Sequence, residues 1–136
     1  MNIKDQICTL DQAKRLRELG ITHEGYFLLN EKGEPFESWI VEGNEDRFYS
    51  AFTVAELGAM LPNNIVVESY RMHFHCIKQG QNESVPIYSV TYGKYEDNDV
   101  PVLDGHNEAE LRAMLLIYLI ENKLITHAEV NQRLNS

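Results

Sequence analysis

One stretch near the C-terminus, residues 107–124, most constrains what this chain can fold into. It reads Asn-Glu-Ala-Glu-Leu-Arg-Ala-Met-Leu-Leu-Ile-Tyr-Leu-Ile-Glu-Asn-Lys-Leu and contains the longest apolar block in the sequence. Ala109, Ala113, Leu116, Ile117, Ile120 and Leu124 recur at helical spacing and make one continuous face. Asn107 suits an N-cap, with Glu110 three residues on, as in a capping box. Glu108 and Glu110 meet the positive end of the helix dipole, and Lys123 lies toward the negative end. Leu111, Met114, Leu115, Tyr118 and Leu119 spread apolar surface round the other sides. A helix apolar this far round needs more than one neighbour to cover it. The eight-residue apolar run 113–120 falls far short of the roughly 20 residues needed to cross a bilayer. Leu111, Leu115 and Tyr118 are therefore expected to be covered by flanking helices at 9–19 and 126–134, or else to form an interface with a second copy of the chain.

The rest of the chain reads as material for that helix to pack against. Residues 1–8 are a short lead-in. Thr9 opens a helix, with Gln12 completing a capping box, Leu10, Ala13, Leu16 and Leu19 inward, and Gly20 at its end. Residues 26–29 and 36–41 read as two strands of a hairpin around the Gly33/Pro35 turn. On the second strand, Trp39 and Val41 share one side, and Phe36, Ser38 and Ile40 the other. An acidic loop, 42–46, and an aromatic connector, 47–52, follow; the pattern gives the connector no definite form. Thr53 and Glu56 form another capping box before a helix that Pro62 ends. Residues 65–68 begin an extended region, and 70–78 alternate cleanly. Tyr70, Met72, Phe74 and Cys76 fall on one face, with Arg71, His73, His75 and Ile77 on the other. Residues 79–82 make a turn. Residues 85–95 read as a further strand with Tyr88, Val90 and Tyr92 inward, Pro86 favouring an edge or a late start. Residues 95–104 form an acidic loop, and after the main helix Thr126 caps a short last helix with Val130 and Leu134 inward.

Strands are thus grouped and hairpin-linked, without βαβ alternation. The expected class is α+β, with an antiparallel sheet of about four to five strands and helices on one face. At 136 residues the chain fits a single domain, 1–136. Twelve Lys and Arg against 21 Asp and Glu leave a net charge of −9, which repels a nucleic-acid backbone. Lys14, Arg15 and Arg17 are the nearest thing to a basic patch, but Asp11 and Glu18 flank them. The segment 53–61 leads into β-rich sequence rather than a second helix, which argues against a helix-turn-helix. The expected partners exclude nucleic acid and membrane. The absence of an N-terminal hydrophobic signal segment points to the cytoplasm, and Cys8 and Cys76 form no metal or disulfide framework.

Catalytic chemistry is scarcely represented. His73 and His75 would lie on one face of a strand, roughly 7 Å apart at ~3.4 Å rise per residue. Such a pair suits a transition-metal ion once a third ligand joins it, and the sequence places none nearby. Two ordinary histidines on an outward sheet face are the simpler reading. Cys76 neighbours His75 but points to the opposite face, and is expected to be a buried structural cysteine. Asp97, Asp99 and Asp104 read as a solvated loop, without the spacing of an EF-hand. No P-loop, GxGxxG or GxSxG pattern occurs, and no cofactor or catalytic residue is implied.

Three blocks, residues 8–20, 51–62 and 108–124, resemble a set of small uncharacterised bacterial proteins with a prophage or mobile-element flavour. They cover about a third of the chain. The resemblance implies no activity and carries over no catalytic residue. Three functional expectations follow, in order. The first is a small cytosolic accessory protein that binds another protein. The second is a metal-binding protein or metal-dependent enzyme using His73 and His75. The third is an acidic mimic that occupies a nucleic-acid-binding protein.

Overall fold

The computed structural model describes residues 3–40, 47–67, 70–79, 87–93 and 100–134. Its elements alternate in blocks. A 3-10 turn (Ile3–Asp5) leads to α1 (Leu10–Glu18), then β1 (Phe27–Leu29) and β2 (Pro35–Glu37), a second 3-10 turn (Ser38–Ile40) and β3 (Tyr49–Ala51). There follow α2 (Val54–Met60), β4 (Asn64–Val67), β5 (Tyr70–Gln79), β6 (Ile87–Tyr92), β7 (Leu103–Gly105), α3 (Glu108–Glu121) and α4 (His127–Leu134). This is an α+β fold, and every strand pairing among the described residues is antiparallel.

Helix starts follow the side-chain chemistry of their caps. Thr9 Oγ1 accepts from the Gln12 N–H at 3.1 Å, while Gln12 returns a bond to the Thr9 N–H at 3.1 Å. Thr53 and Glu56 repeat this reciprocal arrangement at 3.2 and 3.0 Å. Asn107 and Thr126 each accept from the backbone N–H three residues on, at 3.2 Å in both cases. Gly20, at φ +98°, closes α1 in a conformation that only glycine adopts without strain.

The expected single sheet is instead two. A three-stranded sheet has the order β2-β1-β3, and a four-stranded sheet the order β4-β5-β6-β7. The split arises because the hairpin strands are only three residues long and β1 pairs on its free side with the 47–52 connector, whose central residues form β3. The expected strand 36–41 stops at Glu37 and turns into Ser38–Ile40. Leu103–Gly105, expected inside a loop, forms the edge strand β7 against β6. The acidic loop 42–46, the turn residues 80–82, the strand start at 85–86 and the Asp97/Asp99 segment lie outside the described residues.

The core is built around α3, as its all-round apolarity requires. Leu111, Ala113, Leu115, Leu116 and Leu119 are buried, together with Leu16 of α1, Leu57 and Met60 of α2, Val130 of α4, and Val90 and Tyr92 of β6. The alternation read from β5 and β6 holds: Met72, Val90 and Tyr92 are buried, while Arg71, His73 and His75 are exposed. A smaller cluster of Ile7, Leu29 and Ala51 joins the N-terminal segment to the three-stranded sheet. No helix among the described residues is long and apolar enough to cross a membrane.

Candidate functional site

His73 and His75 lie on the outer face of β5, opposite Asn64 of β4 and Thr91 of β6 respectively. Both imidazoles are exposed. Neither cross-strand neighbour is a strong metal ligand. Among the described residues no group of three or more His, Cys, Asp and Glu side chains could hold a metal ion. The pair therefore stands on the solvent side of the sheet with no third protein ligand described beside it.

Cys76 corrects an expectation. It is on the helix-facing side of β5, as its alternation requires, yet it is exposed. The reason is what it meets there. Arg112 of α3 reaches across the sheet end, its guanidinium 4.9 Å from the centre of the Phe74 ring and its Nε donating to Glu108 at 2.7 Å. A charged pair, rather than apolar cover, borders the thiol. Partial burial raises the Cys76 pKa first, and the Glu108 carboxylate adds to this, so the thiolate is disfavoured. Cys8 is the buried cysteine, and its burial pushes the thiol up to about 12.

Leu111 and Leu115 were candidates for an interface. Both are covered within the chain, with 5% and 0% of their surface exposed, because α1, α2 and the β6–β7 edge close over α3. They offer no surface to a second copy. Tyr118 is half-buried against the same core, and the side of α3 left open carries Met114.

Apolar surface is instead concentrated at the open end of the β1–β2 hairpin. Tyr26, Phe36, Trp39 and Ile40 are 55%, 36%, 68% and 56% exposed, four of the nine large hydrophobic residues exposed among those described. The Ser38 N–H donates to the Tyr26 carbonyl at 2.9 Å, which brings the 3-10 turn beside the start of β1. Phe36 meets Phe48 edge-to-face, 5.7 Å between ring centres. With Ile40 these two rings line a cleft of about 580 Å³.

Carboxylates surround this apolar surface. Glu37 accepts from the Trp39 indole N–H, and Glu56 accepts from the Tyr26 N–H at 3.1 Å. Glu31 and Glu34 stand on the cleft rim with Lys32 and Arg47. With Lys14, which pairs with Glu31 at 3.3 Å, these seven groups carry four acids and three bases, a net charge of −1. The Tyr49 hydroxyl, and then Lys14, hold the Glu31 carboxyl below its usual range, so that charge persists into mild acid.

Trp39 is the residue that pattern reading left without a role. Its signal is present in retrospect. The segment 36–41 is apolar on both sides of a strand, and an outer strand that runs into an acidic loop buries less than both sides. Comparison with protein-family models finds no match to this chain, and comparisons with curated proteins and with solved structures likewise find none.

Proposed function

We propose that this is a cytoplasmic accessory protein that works by binding another protein through the open end of the β1–β2 hairpin. The observation that carries the reading is Trp39, the single tryptophan of the chain, held outward with 68% of its surface exposed beside Tyr26, Phe36 and Ile40. Tryptophan and tyrosine are the residues most enriched at binding hot spots. Large exposed apolar patches on a protein surface mark interaction sites. The acidic rim and the net charge of −9 select the partner: a protein segment with an apolar anchor flanked by Lys and Arg. An acidic mimic of nucleic acid is the special case in which that basic surface otherwise binds phosphates. The resemblance to prophage-flavoured bacterial proteins adds a setting for such a role.

The test is capture of cell proteins on immobilised full-length chain, in parallel with a Trp39→Ser/Ile40→Ser variant. The reading expects a basic protein retained at low salt, released at high salt and lost from the variant. Identical retention by both chains overturns it. Elution of the chain alone as a dimer that the variant abolishes would assign the same surface to a second copy and overturn the basic partner.

A second reading keeps the His73/His75 pair as a two-point chelate for a divalent transition metal, supported by their exposure on one strand face. Titration of the full chain with Ni²⁺ or Cu²⁺, followed by histidine NMR shifts, tests it. An unchanged response in His73→Ala sinks it.

A further inference from the structure

We propose that a second cleft, between α1, the segment following it and one face of the β1–β3 sheet, binds a small monocarboxylate with an aromatic body. This cleft measures about 480 Å³, within the range of small-ligand sites. Its floor is apolar, with Leu28 and Phe52 both 2% exposed. Aromatic groups stand around it: Phe48 lines one part, and His23 lies near-parallel to Phe52 at 23°, with 6.3 Å between ring centres. A flat ring fits such walls, because offset and edge-on contacts between rings are favourable.

Arg17 supplies the charge. The chain carries nine more acids than bases, and its other paired cations show where those acids go. Arg15 takes Glu18 and Glu121, Lys14 takes Glu31, and Arg112 takes Glu108. Arg17 has no carboxylate partner among the described residues. It is held by the Phe48 carbonyl, 3.4 Å from Nη1, and by the Tyr49 ring, 5.3 Å from Cζ. Arg17 lines the cleft, and these two contacts leave guanidinium donors for a planar carboxylate. Ser50 lines the same cleft, and its oxygen accepts from the Gly25 N–H at 3.0 Å, so its proton remains to donate.

Glu24 also lines the cleft. Its charge opposes a dianion, so a single carboxylate is favoured over a phosphate monoester. The site shares Phe48 with the first cleft but uses none of Tyr26, Phe36, Trp39 and Ile40, so the Trp39→Ser/Ile40→Ser variant that tests the protein partner leaves it intact and the two readings fail separately.

The experiment is a titration of the ¹⁵N-labelled full chain with three probes of similar body: phenylacetate, 2-phenylethanol and phenyl phosphate. Saturable shifts are expected at the Gly25, Ser50 and Phe52 amides. Phenylacetate should bind about ten-fold more tightly than 2-phenylethanol, the increment of one charge-assisted pair. Phenyl phosphate should bind more weakly than phenylacetate. Arg17→Gln, a change at an exposed helix position, should remove the preference for phenylacetate, so that the acid and the alcohol bind alike. The proposal is overturned by an absence of shifts at those amides, by equal binding of the acid and the alcohol, or by tighter binding of phenyl phosphate. It is also overturned by a preference that survives Arg17→Gln. The three probes on the unaltered chain decide the class of ligand without any variant.

Discussion

The Tyr92 hydroxyl donates a 2.6 Å hydrogen bond to the backbone carbonyl of Pro62, inside the core and 30 residues away in sequence. It ties the last residue of β6 to the turn that leaves α2, where Pro62 has ended the helix. Burial pushes the Tyr92 phenol well above the ordinary tyrosine range. Tyr92→Phe keeps the ring packing and leaves the buried Pro62 carbonyl without this donor. The expected loss is about 1–2 kcal/mol in urea unfolding, with an unchanged m-value.

α3 separates core from surface within two neighbouring residues. Leu115 is fully buried and Met114 is 45% exposed. Leu115→Ala is expected to cost ~2–5 kcal/mol at any protein concentration, since its contacts lie within one chain. Met114→Ala should stay within about 0.5 kcal/mol. A concentration-dependent midpoint for Leu115→Ala would restore the dimer-interface reading of this face.

Cys8 links stability to alkaline pH. Its folded-state thiol is raised to about 12, so the folded chain keeps a proton that the unfolded chain releases near the ordinary cysteine range of ~8.5. Stability is therefore fully present below about pH 8.5 and falls as pH rises toward 12. A single differential proton gives a slope of about 1.4 kcal/mol per pH unit in that window. Cys8→Ala should flatten the fall while lowering stability at neutral pH. In the native chain a thiol reagent should label Cys76 alone, and Cys8 only after unfolding.

Trp39 should be dispensable for folding. With 68% of its surface exposed, Trp39→Ser is expected to shift stability by no more than about 0.5 kcal/mol. The native indole should be quenched by acrylamide nearly as well as in the unfolded chain. A protected indole, or a large loss of stability, would show that Trp39 packs inward.

Much of the fold was legible because its signals are local. Thr9 with Gln12 and Thr53 with Glu56 declare their helices within four residues, since a cap is satisfied by its own backbone neighbours. The inward set of β5 and β6 followed from a period of two that no distant residue alters. The candidate surface was less legible. Exposure of Trp39 depends on which layers exist above and below a hairpin, and alternation alone cannot tell a buried apolar side from one left open.

By itself, then, the sequence determined the helices, their caps, the α3-centred core and the outward placement of His73 and His75. Only the tertiary structure decided that the strands divide into two sheets and that Leu111 and Leu115 are sealed within one chain. It also decided that Cys76 borders Arg112 and Glu108, and that Trp39 faces solvent. The physical reason is range. Capping and periodicity act over a few residues, whereas burial is set by whichever distant segment arrives to exclude water.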